Sequence, residues 1–196
     1  VLLSRASFKA GALGGIKKAR YTPNGGGEAI VVAVKVANSA EPMYSLETER
    51  EAYQLLEGSH ESIGEYYGCI YEIGGTAPQA IVIEFFDPKD DWTDMFDFIV
   101  DTAPKLASKA ATAATWPLFE QLMRCVRALH AKHVYHQDLK PENFMVRVLP
   151  TGKTELRVID FGTATREPRS RRQLGSLSYV TPEILMGREY ASKTND

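Results

Sequence analysis

Apolar positions along the chain change period several times, and each change marks an element. Residues 29–36 (AIVVAVKV) form a short, almost continuous apolar run rich in valine, the pattern of a buried strand. Ahead of it, Pro23-Asn24-Gly25-Gly26-Gly27 reads as a turn joining two strands. Over 45–57 (SLETEREAYQLLE) the pattern becomes helical. Ser45 is placed to act as N-cap, acidic residues crowd the early turns where the helix dipole favours them, and Gly58 stops the helix. Strand-like pieces follow at 66–73 and 79–86, so this part is expected to be a strand-rich unit with one helix. Residues 87–100 begin as a polar loop and end as a short helix. Residues 101–115, rich in Ala, Thr and Ser without apolar period, are expected to be a surface connection. Thr115-Trp116-Pro117 opens the next helix, with Thr115 as N-cap and Pro117 in the first turn. Leu118, Leu122, Val126 and Leu129 then recur at helical spacing as a core-facing stripe. A strand over 155–159 and a helix near 182–187 complete the pattern, with loops between.

Composition narrows the class. At 196 residues the chain has room for one good core or two small lobes. Its 44% hydrophobic and 24% charged residues are ordinary for a soluble globular protein. A net charge of -2 gives no general attraction to nucleic acid or anionic membrane. No apolar run approaches the roughly 20 residues that span a bilayer. Cys69 and Cys125 cannot make a disulfide framework, and are expected as small buried hydrophobes in a reducing, intracellular setting, cytoplasmic or nuclear. The chain opens at Val1 rather than Met, which leaves room for an upstream segment. The four histidines, His130, His133 and His136 among them, do not form a zinc-ligand set with the cysteines.

Five segments carry candidate chemistry. His136-Gln137-Asp138-Leu139-Lys140-Pro141-Glu142-Asn143 directly follows the long helix. Phosphoryl transfer to a hydroxyl needs a carboxylate to orient the hydroxyl and accept its proton, a cation on the moving phosphate and an amide oxygen on a metal. Asp138, Lys140 and Asn143 supply these within six residues. Asp160-Phe161-Gly162 follows the strand LRVID, where a carboxylate can reach a hard cation such as Mg²⁺ and glycine lets the backbone turn sharply. Lys35 lies in the apolar strand, and a buried ammonium needs a partner. The following helix offers Glu47, Glu49 and Glu51. Gly11-Ala12-Leu13-Gly14-Gly15-Ile16 allows backbone amides to approach phosphates. The fifth segment is Gly175-Ser176-Leu177-Ser178-Tyr179-Val180-Thr181-Pro182-Glu183.

Taken in chain order, over essentially the whole chain, these segments resemble the catalytic domain of eukaryotic-type protein kinases of the Ser/Thr class. The resemblance implies an α+β, bilobal protein-kinase-like fold. Residues 1–86 would be a small antiparallel-sheet N-lobe with one helix, and 87–196 a partial, mainly helical C-lobe. It implies ATP and Mg²⁺ as cofactors and a protein substrate with Ser or Thr as acceptor. Asp138 would be the base and Lys140 would neutralise charge on the phosphate. Asn143 and Asp160 would hold the metal. Lys35 would grip the α- and β-phosphates, held by Glu51, the choice among the three glutamates because Leu55, Leu56 and His60 follow it in the family's pattern. Gly11 and Gly14 would be the second and third glycines of the phosphate loop, with Lys9 at the first. Ile16, Ala33 and Met145 would sandwich adenine, Ile83 would be the gatekeeper, and the Glu84 carbonyl and Phe86 amide would be the hinge groups. Tyr66, Leu55, Phe161 and His136 would stack as a hydrophobic spine. Ser176 would hydrogen-bond Asp138 and Lys140, a mark of Ser/Thr specificity.

The chain departs from the family at several places. Gln137 stands where most members have an arginine that clamps a phosphorylated activation segment, so activity is expected not to depend strongly on such a phosphate. Thr181 stands for alanine. The chain stops at Asp196, where the family's next helix and its aspartate would sit. A fragment ending there is expected to expose the apolar seat of that helix. Asp87, Asp90, Asp91, Asp94, Asp97 and Glu142 suit either basic residues upstream of the target hydroxyl or a solvated acidic face. Arg166, Arg169, Arg171 and Arg172 make the activation segment basic. Two rival readings stand beside an active kinase: a pseudokinase scaffold that binds nucleotide or a partner without turnover, and a small-molecule kinase of similar fold.

Overall fold

A computed structural model describes residues 2–11, 14–23, 27–36, 45–71, 74–102, 104 and 108–196. The valine run becomes β3 (Ile30–Val36), paired antiparallel with β2 (Gly14–Tyr21) and β5 (Pro78–Glu84). With β1 (Leu2–Gly11) and β4 (Tyr66–Tyr71) they make one antiparallel sheet in the order β1-β2-β3-β5-β4. Of the expected turn at 23–27, Asn24, Gly25 and Gly26 lie outside the described residues. Helix α1 (Leu46–Leu56) starts as expected: the Ser45 side chain accepts a hydrogen bond from the Thr48 amide, at 3.3 Å. It ends just before Gly58, whose φ of 66° is left-handed.

Beyond the sheet, Pro88–Asp90 forms one 3₁₀ turn, and α2 (Met95–Asp97) runs on into a π turn at Phe98–Thr102. The long helix α3 spans Ser108–Ala131. Its first turns correct the expected surface connection at 101–115. Alanine is the best helix former and needs no apolar period to continue a helix. Thr115 and Pro117 therefore lie inside α3, not at its start. A second correction is β7 (Phe144–Val148), absent from the sequence expectation. It pairs with β8 (Thr154–Val158) on one side and with β6 (Thr93–Asp94) on the other. The pair β9 (Arg169–Ser170) and β10 (Tyr190–Ala191) and the short helix α4 (Pro182–Leu185) follow.

One apolar cluster runs through both parts. Ala33, Leu46, Tyr53, Leu56, Ile81 and Ile83 meet Phe161, and beyond it Leu118, Cys125, Leu129, Phe144 and Leu156. Backbone ties accompany it: the Val158 amide donates to the Ser62 carbonyl at 2.7 Å, and Ile63 bridges Val158. The shared core fixes the sheet over the loops that follow α3 and β8. Among the described residues no helix is long and apolar enough to cross a membrane.

Candidate active site

Two clusters of charged side chains are built on the sheet, helix α1 and the loops that follow α3 and β8. The first is built on β3, α1 and the turn after β8. Lys35 is 7% exposed, and its Nζ lies 3.1 Å from Glu49 Oε2 and 2.9 Å from Asp160 Oδ1. Glu49 is fully buried and also accepts from the Phe161 backbone amide. The Ser45 amide donates to the Gly162 carbonyl at 3.2 Å, which docks the start of α1 on the Asp160-Phe161-Gly162 turn.

Glu51 does not fill the role expected of it. Its side chain is 58% exposed, and its one ion pair among the described residues is with Arg50, at 3.7 Å. The same displacement by two residues affects the spine: Leu55 is exposed, and Tyr53 stands in its place. Tyr53 stacks on Tyr66 at 5.7 Å and meets Phe161 edge-on at 5.0 Å, and Phe161 lies 5.1 Å from the His136 ring. A helix turns about 100° per residue, so positions 49 and 53 share a face while 51 points nearly opposite to 49. The signal was present in the chain. Leu46, Glu49, Tyr53 and Leu56 form one stripe at helical spacing, and Glu49 is the glutamate inside it.

Electrostatics follow from this packing. Burial opposes the Lys35 charge, but Glu49 and Asp160 outweigh it and hold the ammonium protonated beyond its ordinary range. Burial pushes the Glu49 carboxyl up to about 7 against the pull of Lys35. Burial acts the same way on Asp160, yet Lys35 and the Gly162 amide prevail and leave this carboxyl below its ordinary value.

The second cluster is built on the loop between α3 and β7. Asp138 Oδ2 lies 3.0 Å from Lys140 Nζ, and Oδ1 accepts from the Ser176 amide at 2.8 Å. Lys140 Nζ donates to Ser176 Oγ at 2.7 Å. Asn143 Nδ2 donates to the Asp138 carbonyl at 2.7 Å. His136 is fully buried and braces the loop from below. Its Nδ1 accepts from the Asp138 amide at 3.3 Å, so Nε2 carries the proton donated to the Ile159 carbonyl at 3.0 Å. Asp196 accepts from the His136 and Gln137 amides at 2.9 and 2.8 Å, fixing the loop from its other side.

The residues present fit a hard divalent cation. Asn143 precedes β7 and Asp160 follows β8, and the Phe144–Val158 pairing with the Ile159 amide bonded to the Asn143 carbonyl holds their backbones side by side. Asp160 is ionised. The Asn143 amide nitrogen is spent on Asp138, while its side-chain oxygen has no donor among the described residues. Two such oxygens, with the remaining positions left to water and phosphate, suit Mg²⁺.

The nucleotide positions are partly brought together. Ala33 and Ile83 are buried cross-strand partners, and Ile16 packs on the same cluster. Met145 is partly buried in β7. Glu84 ends β5 with its amide donating to the Glu65 carbonyl at 2.8 Å. The Phe86 ring packs edge-on against Trp92 at 5.0 Å, and its backbone N–H has no acceptor among the described residues. Gly11 and Gly14 are cross-strand partners at the tip of the β1–β2 hairpin, while Ala12 and Leu13 lie outside the described residues. Sequence reasoning missed one contact here. Lys18, on the same strand face as Ile16, pairs with Asp87 at 2.8 Å and sits 4.4 Å from the Phe85 ring centroid. Of the acidic run, Asp87 and Asp94 are therefore partly engaged, since each also caps a turn.

Curated relatives resemble parts of this chain. CBL-interacting protein kinase 21 of Oryza sativa subsp. japonica is 40% identical over 85 residues, 40% of this chain and 15% of that protein. Testis-specific serine/threonine-protein kinase 3 of Mus musculus is 35% identical over 108 residues, 53% of this chain and 37% of its own length. An Aurora kinase of Dictyostelium discoideum is 37% identical over 81 residues, 40% of this chain and 20% of its own. The chain thus spans well under half the length of these relatives. The family model described as "Protein kinase domain" matches residues 10–196, nearly the whole chain, and with the antiparallel sheet already in place the chain belongs to the protein kinase domain family.

Proposed function

We propose that this chain is the catalytic part of an active protein Ser/Thr kinase that uses Mg²⁺-ATP, with residues 1–86 forming the nucleotide lobe and 87–196 the start of the substrate lobe. Bound Mg²⁺-ATP supplies the transferable γ-phosphoryl group and the metal's charge. Lys35 binds the α- and β-phosphates, and Glu49 orients it. Asp160 and Asn143 hold the metal. The Glu84 carbonyl and Phe86 amide take the adenine edge between Ile16, Ala33 and Met145. Asp138 orients the incoming hydroxyl and accepts its proton, and Lys140 offsets charge that develops on the phosphoryl oxygens. The observation that carries this reading is the Asp138 carboxylate itself. It is fixed by Lys140 and the Ser176 amide, in a chain that also holds a complete Lys35–Glu49–Asp160 triad. The Lys140–Ser176 contact supports Ser/Thr acceptors. The free thiols Cys69 and Cys125 support a reducing compartment, cytoplasmic or nuclear.

Transfer of labelled phosphate from ATP to a mixed peptide pool tests this in the intact protein, followed by identification of the phosphorylated residue. The expected result is Mg²⁺-dependent phosphoserine and phosphothreonine, abolished in Asp138→Asn. Nucleotide binding without any transfer would replace the kinase with a pseudokinase scaffold.

A further inference from the structure

Gln137 is fully buried in the catalytic loop with a left-handed φ of 70°, and segment 190–196 engages both its side chain and its backbone. Its Nε2 donates to the Ser192 carbonyl at 2.8 Å, and its Oε1 accepts from the Tyr190 hydroxyl at 2.9 Å. Its amide donates to Asp196, and its carbonyl accepts from Asn195 Nδ2 at 3.1 Å. The Ser192 contact also fixes the orientation of the Gln137 amide, because a flipped oxygen would face a carbonyl.

The same segment holds the activation segment on its other side. Tyr190 and Ala191 pair with Ser170 and Arg169. The Ser192 amide donates to the Pro168 carbonyl at 3.0 Å, and its hydroxyl to the Glu167 carbonyl at 2.6 Å. The Tyr190 hydroxyl, on a residue only 3% exposed, reaches the Arg172 carbonyl at 3.0 Å as well as Gln137. Its single proton is shared between the two acceptors. From Arg172 the chain runs through buried Leu174 to Ser176, whose amide grips Asp138 Oδ1. An unbroken series of short, neutral contacts therefore joins the catalytic loop to the segment that aims its carboxylate.

We propose that Tyr190 is a positioning residue whose hydroxyl, seated on Gln137, locks residues 167–176 against the catalytic loop and so aligns Asp138 without any phosphate on the activation segment. This deepens the kinase reading and rests on it. The contacts involved are amide, hydroxyl and carbonyl groups, buried where Gln137 meets Tyr190 and Ser192, so the lock has no charge to neutralise and needs no modification to close.

The test uses the intact protein as wild type, Tyr190→Phe, Gln137→Leu and the double variant. Tyr190→Phe keeps the ring and removes one hydroxyl, so it does not depend on the fate of Gln137→Leu. Amide exchange over 167–176 is expected to quicken about tenfold in Tyr190→Phe, the loss of one buried hydrogen bond. Its kcat is expected to fall about tenfold while KM for ATP stays within about twofold. The double variant is expected to lose less than the two single losses combined, because with Gln137 gone the hydroxyl keeps only the Arg172 carbonyl. Phosphatase treatment is expected to leave wild-type kcat unchanged. Unchanged exchange in Tyr190→Phe, additive losses in the double variant, or a tenfold phosphatase effect on wild type would each overturn the lock. If wild type transfers no phosphate at all, the kinase reading fails, and the exchange measurement alone still decides whether Tyr190 orders the segment.

Discussion

Lys35 keeps an ammonium inside the fold because two carboxylates meet it there, one from α1 and one from the turn after β8. Removing one partner of a buried ion pair is costly when it strands the other charge, but Asp160 keeps Lys35 paired when Glu49 is neutralised. Glu49→Gln is therefore expected to reduce phosphate transfer about 100-fold while shifting the melting temperature by only a few degrees. Glu51→Gln, at an exposed position, is expected to behave like wild type. Steady-state kinetics and thermal melts on both variants check this, and the reverse ranking would restore Glu51 as the partner. The pH dependence has a definite sign. Burial places the Glu49 carboxyl at about 7, so protonation below that value removes a partner of Lys35. Wild-type transfer is expected to fall as pH drops through this range, and the residual rate of Glu49→Gln to stay flat there. At this scale the sequence carried Lys35, Asp138, Lys140, Asn143 and Asp160 through their spacing. It misled at Glu51, because the family's order of leucines fits there, whereas the apolar stripe Leu46–Tyr53–Leu56 holds Glu49.

Elements were legible where one period dominated. The valine run gave β3 and the Ser45-capped stretch gave α1, each to within a residue or two. The first turns of α3 were hidden because alanine favours helix without marking a buried face. Strand β7 was hidden for another reason: FMVRV is five residues long and begins directly after the polar catalytic loop. The two-residue strands β9 and β10 exist only through their partner, so no local pattern announces them. Between β9 and α4, the geometry turns on Gly175. Its φ is 98°, and a Cβ there would lie 2.8 Å from both the Gln137 carbonyl and Val180 Cγ1. Gly175→Ala is expected to displace Ser176 from Asp138 and reduce transfer at least about 100-fold, with nucleotide binding retained. Parallel binding and transfer assays check it, and wild-type transfer in this variant would show that the segment tolerates the shift.

For the whole molecule, one continuous core couples the sheet that carries Lys35 to the loops that carry Asp138 and Asp160. Phe161 sits where the two meet, packed against Tyr53 from α1 and His136 from the catalytic loop. The order of the motifs made this architecture readable. What order could not supply was the helix register that selects Glu49 and Tyr53, or the hydrogen bonds that join Gln137 to Tyr190 and Ser192. In the proposed kinase the labour divides between the two clusters: Lys35 with Asp160 would hold nucleotide and metal, and Asp138 with Lys140 would perform the transfer. The most direct test measures Mg²⁺-ATP affinity and phosphate transfer side by side in wild type, Asp138→Asn and Asp160→Asn. Asp138→Asn is expected to bind as wild type and transfer nothing, and Asp160→Asn to lose Mg²⁺-dependent binding and transfer together. Undiminished transfer in Asp138→Asn would contradict it.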